Sequence, residues 1–173
     1  MVDLWIYRMD SHGETPMVRA MKSGCQALAD LLLRQENSFS EEELDAASQL
    51  HRAAYWGMQD VVNQLLDSGE SSSQRDDRGD TPLLKACRNG HYPSVEALVN
   101  HHADVNEPDA QGLTPLHWTS LNGKAEIAQF LLEHGAEANM REQAVGGVTP
   151  MGFAVLMGYE DVADLLKAYG GVF

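Results

Sequence analysis

A unit of about 33 residues recurs five times in this chain, at Thr15, Ser48, Thr81, Thr114 and Thr149. A fixed period of that length describes small units stacked in a row, each burying its apolar face on its neighbours, and not one globular enzyme core. The best copy carries Asp109, Gly112, Thr114, Pro115, Leu116, His117 and Gly123, then Ile127, Phe130, Leu131, Gly135 and Asn139. Thr114 suits a helix start because its hydroxyl accepts from an exposed N–H, and Pro115 suits the first turn, where its missing N–H has no partner to lose. A helix of about two turns is therefore predicted from Thr114-Pro115, ending at Gly123, where a residue without Cβ enters the left-handed conformation freely. Ile127, Phe130 and Leu131 fall at i, i+3 and i+4. That stripe predicts a second helix from Glu126 to Glu133, closed by Gly135 and followed by an extended stretch through Asn139.

The Thr-Pro step recurs in four of the five copies. The pattern closely resembles the ankyrin repeat, over about Asp10 to Gly170. The resemblance implies an all-α repeat solenoid, one domain over residues 1–173, with repeats at about 10–38, 41–71, 76–106, 109–139 and 142–173. It also implies a non-enzymatic protein-binding scaffold. The copies depart from the pattern in particular ways. The second lacks both the turn Gly and Thr-Pro, and Ser40 with Glu43 reads as a capping box that opens a longer helix in place of one hairpin. The third has Leu84 at the His position and His102 at the terminal Gly position. The fifth has a two-residue insertion near Val145 to Gly147, and Lys167 where the fourth has Leu132, as a polar terminal cap requires.

Two cysteines, Cys25 and Cys87, on separate predicted helices support neither a disulfide framework nor a zinc site. The charged start, Met1 to Met9, does not read as a secretory signal, and no run is long enough to span a membrane. A cytosolic or nuclear monomer is expected. The net charge of −14 argues against nucleic acid as a partner. Adjacent His101 and His102 have no third metal ligand nearby, so no metal or other cofactor is expected. Catalysis is not expected either, since neither cysteine has a predicted base on its face and no phosphate-cradling Gly loop or nucleophile elbow occurs. His51 and His117 read as structural, bonded to the preceding Ser or Thr and to the next turn.

On the first helix of each copy, the residue after the His position and those three and four beyond it share one face. In the family this face lines the concave groove. The candidate partner-binding residues are Arg19 and Lys22; Arg52, Tyr55 and Trp56; Lys85, Arg88 and Asn89; Trp118, Leu121 and Asn122; and Phe153, Leu156 and Met157. Five of the twelve basic residues fall here and no acidic one does. Carboxylates such as Asp77 and Asp80 are expected on exposed hairpin tips. The groove is thus predicted basic toward the N-terminus and apolar toward the C-terminus, suited to a protein segment with acidic and hydrophobic parts. The competing reading is that each Lys and Arg balances a neighbouring carboxylate and each aromatic is half-buried packing.

Leu98 lies eight residues before Asn106, and Leu131 eight before Asn139. This spacing looks like the site of the asparaginyl hydroxylase that modifies ankyrin repeats, although Asn also suits this turn through its bonds to backbone. The leading functional expectation is an adaptor that binds a peptide or domain in its groove. The alternatives are a stoichiometric inhibitor of a partner enzyme and a substrate-recognition module of a larger assembly such as a ubiquitin ligase.

Overall fold

The computed structural model describes residues 48–143 and 147–173. The first copy with Arg19, Lys22 and Cys25, the Ser40 to Glu43 capping box and most of the Val145 insertion lie outside the described residues.

Eight helices in four pairs make up the described part. They are α1 (Gln49–Trp56) with α2 (Gln59–Asp67), α3 (Pro82–Asn89) with α4 (Tyr92–Asn100), α5 (Pro115–Leu121) with α6 (Ala125–Glu133), and α7 (Pro150–Met157) with α8 (Glu160–Ala168). Each first helix starts as the sequence demands. Thr81, Thr114 and Thr149 are extended N-caps whose hydroxyls accept the N–H three residues on, and Pro follows each of them. Loss of one such cap costs about 1 kcal/mol.

The second copy corrects an expectation. Ser48 is non-helical (φ −59°, ψ 162°) and accepts from the His51 N–H, so α1 begins afresh there and does not continue a longer upstream helix. Ser48 needs no Pro beside it to cap. The helix pair that follows has ordinary proportions.

First helices pack in the order α1, α3, α5, α7, and second helices in the order α2, α4, α6, α8, making two layers. Leu50, Leu83 and Leu116 recur at the repeat spacing, as do Leu98 and Leu131, and all are fully buried. Each contributes roughly 1.5–3 kcal/mol by leaving water. Thr119 and Ser120 are also fully buried, because small residues on α5 let neighbouring helices approach, and their hydroxyls donate back to the Leu116 carbonyl. Gly123 (φ 64°) is demanded twice over, by its left-handed backbone and because a Cβ there would lie 2.6 Å from the Tyr159 ring of the next copy. Lys167 is exposed where Leu132 is buried.

One core position breaks the pattern. Val61, Ile127 and Val162 occupy equivalent sites on α2, α6 and α8, whereas α4 has Ser94, fully buried, with no hydrogen-bond partner for its hydroxyl among the described residues. Ser94→Val exchanges an unsatisfied hydroxyl for a methyl pair at a site whose counterparts on α2, α6 and α8 are β-branched. It is expected to stabilise by about 1–2 kcal/mol, read as a higher urea midpoint at constant slope. A lower midpoint would show that the site cannot hold the extra methyl group.

His102 sits at φ 64°, a left-handed residue that is not glycine, at the end of α4. Its N–H donates to Val99 and that of Ala103 to Leu98, the same two bonds that Gly135 and Ala136 make to Leu132 and Leu131. The third copy therefore keeps the turn despite the Cβ. His102→Gly is expected to stabilise by roughly 0.5–1 kcal/mol, strain relief of about 1–2 kcal/mol being partly offset by the freer unfolded chain. Thermal denaturation tests this, and a loss of stability would mean that the imidazole makes a compensating contact.

Candidate functional site

The first-helix face is built from equivalent positions on α1, α3, α5 and α7. Among the described residues its two ends are apolar and exposed. Tyr55 is 42% and Trp56 47% exposed, their rings edge to face at 4.9 Å, while Leu156 is 68% and Met157 52% exposed. Leu121 and Phe153 are half-buried, and Phe153 packs edge-on against the His117 ring at 5.9 Å. Asn89 is exposed, with its side-chain N–H bonded to the Lys85 carbonyl. Asn122 reaches back to the Arg88 carbonyl and ties α5 to α3.

The centre of the face is not the free basic patch expected from the sequence. Lys85 Nζ lies 2.9 Å from Asp76 and 2.8 Å from Asp80. Arg88 pairs with Asp80 at 3.1 Å and with Asp109 at 3.6 Å, and its guanidinium carbon lies 3.9 Å from the Trp118 ring centre. Trp118 is itself held, its indole N–H donating to Asp109 Oδ2 at 2.9 Å. Arg52 also has an interaction partner of its own. Asp80, expected at an exposed hairpin tip, is instead 2% exposed and beneath these cations, and Asp109 is buried as well. The balancing of Lys and Arg by neighbouring carboxylates thus holds at Lys85 and Arg88, and the side chain of Trp118 is half-buried packing as well as surface.

The same carboxylates build the hairpins. Asp76 Oδ1 accepts from the Arg78 and Asp80 N–H groups, and Asp109 Oδ1 from those of Gln111 and Leu113. In the fifth copy Glu142 takes this part, accepting from Gly147 and Val148 across a longer turn. Burial pushes the Asp76 carboxyl up, but the Lys85 hydrogen bond and charge, with the two backbone donors, outweigh it and hold it below the ordinary carboxylate value. Arg75 clasps Glu107 and the Gly79 and Pro108 carbonyls, joining successive tips.

His51 and His117 are structural, as the sequence suggests. His117 Nδ1 lies 2.8 Å from the Thr114 hydroxyl and accepts the Thr114 N–H at 3.1 Å, while Nε2 faces the Val148 carbonyl at 3.2 Å. His51 repeats this with Ser48 and the Asp80 carbonyl, both at 2.9 Å. Each ring therefore fastens a helix cap to the next hairpin. Asn106 and Asn139 do the same farther along. Asn106 donates to Gly135 and accepts from Glu137, and Asn139 donates to Gly170 and accepts from Val172. Both amides thus bridge copies, which is reason enough for Asn at these turns.

Cys87 is fully buried on α3, and burial pushes its thiol far above the usual range, so it is inert packing. Among the described residues no three metal-ligating side chains come together, and no helix is long and apolar enough to cross a membrane.

Comparison with known families bears on this arrangement. A family model described as ankyrin repeats (3 copies) matches residues 50–142. The chain belongs to the ankyrin-repeat family. Ankyrin repeats are generally protein–protein interaction modules and typically not enzymes, which directs attention to the exposed face rather than to any buried group. The match covers three ankyrin copies, and the helix pair of α7 and α8 extends the same packing beyond it. The comparison with curated proteins gave no match.

Proposed function

We propose that this ankyrin-repeat chain is a monomeric, non-enzymatic adaptor that holds a segment of another protein along its first-helix face. The observation that carries the reading is the pair of apolar ends, Tyr55 with Trp56 and Leu156 with Met157, left exposed at equivalent positions of α1 and α7. Exposed aromatic and large aliphatic side chains in register are the composition of binding hot spots, and such patches are seldom left without use. Three helix-to-helix steps of about 8–10 Å separate the ends, roughly 27 Å, which an extended segment of about eight residues spans. Arg52, Lys85, Arg88, Asn89, Trp118, Leu121 and Asn122 would form the floor between them, with Phe153 beside the distal anchor. An inhibitor or a recognition module would use the same face. The buried free thiol of Cys87 fits a reducing compartment, the cytosol or nucleus.

The test is quantitative affinity purification from the source cell with wild type and Trp56→Ala/Leu156→Ala. Partners bound by this face should weaken by roughly 2 kcal/mol or more, about thirtyfold, while thermal stability stays within about 0.5 kcal/mol, as for exposed positions. Equal recovery of every partner would move the interface off this face. Mass spectrometry of the native protein decides whether Asn106 or Asn139 also carries an added oxygen.

A further inference from the structure

Granted that this face is the binding site, we infer that its partner segment is proline-rich, uncharged at its centre, and bound as a polyproline II helix along one row of the floor. Trp56, Asn89, Asn122 and Met157 stand at the same place in successive copies, each directly before a left-handed glycine. The row is apolar at both ends, where Trp56 is 47% and Met157 52% exposed, and amide in the middle. Asn89 gives one N–H to the Lys85 carbonyl, and Asn122 one to the Arg88 carbonyl. A carbonyl only accepts, so each amide must turn its nitrogen toward it. Each amide thus keeps its oxygen and a second N–H for a partner's backbone, since among the described residues no bond reaches either oxygen.

The spacing of the row selects the backbone that can use it. Its members are separated by helix-to-helix steps of about 8–10 Å. A polyproline II helix presents the same face every three residues, at about 3.1 Å each, a step of about 9.3 Å. A β-strand repeats a face every two residues, about 6.7 Å, and falls out of step by the second copy. An α-helical segment spends its N–H and C=O groups on itself and has none for the two amides. Polyproline II has no internal hydrogen bonds, so its backbone is free to meet them. Proline fixes a chain near that form before binding, which lowers the ordering cost, and the residues between prolines keep their N–H groups for the amide oxygens. Charge agrees. Lys85 is answered by Asp76 and Asp80, and Arg88 by Asp80 and Asp109, all within the chain, so the complement of the centre is an uncharged segment. The exposed rings of Tyr55 and Trp56 supply the aromatic surface on which proline-rich segments dock.

Nine steps of about 3.1 Å reach from Trp56 to Met157, roughly 28 Å, so a displayed library of random peptides of about twelve residues, selected on the intact chain, tests this. The expected winners are enriched several-fold in Pro between two apolar residues about nine positions apart. They should bind Trp56→Ala/Leu156→Ala at least roughly tenfold more weakly and Asn89→Ala about threefold more weakly, with the thermal stability of both variants unchanged. Each Pro of a winner exchanged for Ala should weaken it by about two- to fivefold. Winners without Pro enrichment that are lost on the double variant would overturn the polyproline II inference while leaving the face as the binding site. Winners of any composition that keep their affinity for the double variant would overturn both. Proline-rich winners indifferent to Asn89→Ala would show that the anchors alone hold them and overturn the part given to the amide row. A selection that yields no binder also overturns both the inference and the face.

Discussion

Asp109→Ala is expected to lower the unfolding free energy by about 3–5 kcal/mol, the usual cost of removing one partner from a buried ion pair. The carboxylate has no exposed surface, and it serves the Gln111 and Leu113 N–H groups, the Trp118 indole and the Arg88 guanidinium together. Removing it strands two backbone donors and leaves Arg88 leaning on Asp80 alone. Asp109→Asn should cost less, because one amide oxygen can still close the hairpin, but the amide nitrogen cannot accept from Trp118. Urea unfolding followed by circular dichroism measures both. A loss under about 1 kcal/mol for the alanine variant would mean that the network is replaced by water. It follows that Arg88→Glu would set a third carboxylate against two buried ones and damage the fold, so charge reversal there cannot probe the interface.

His117→Ala is expected to cost about 2–4 kcal/mol, through a cavity in a fully buried site and the loss of acceptor and donor for Thr114 and Val148. The same ring makes stability depend on pH. Because the Thr114 N–H can only donate, Nδ1 must be unprotonated and the neutral ring carries its proton on Nε2 toward Val148. Burial, the largest influence, lowers the basicity of both His117 and His51 below the ordinary 6.5, although nearby carbonyls and carboxylates partly oppose it. The unfolded chain therefore binds protons first as pH falls. This stabilisation is complete well above pH 6.5, declines as pH falls through it and stops declining beneath the folded values, whereas the Asp76 contribution is lost as pH falls from the ordinary 3.8 through its lower folded value. Urea midpoints across this interval should drop for wild type and flatten for His51→Gln/His117→Gln. A wild-type midpoint constant from pH 7 to pH 5 would show that both rings can protonate in place.

The Thr-Pro helix starts and the left-handed turn at His102 were legible in the chain because each rests on contacts within a few residues, and the period and the apolar stripes because they recur in the sequence itself. So were the structural roles of His51 and His117 and the register that lines up Trp56 with Met157. The charge state of the face was not. Asp76 and Asp109 each stand five residues before a helix-capping Thr, and Glu142 stands seven before one across the insertion. That recurrence marks a shared structural task, but not which cations answer it. Arg88 finds Asp109 twenty-one residues away only when α3 and α5 lie side by side, and Lys85 meets Asp76 and Asp80 only when the hairpin folds over α3. Local spacing determined where each side chain stands on its own helix. Which charges are neutralised was decided by the stacking of one copy on the next, because an ion pair depends on distance in space and on exclusion of water.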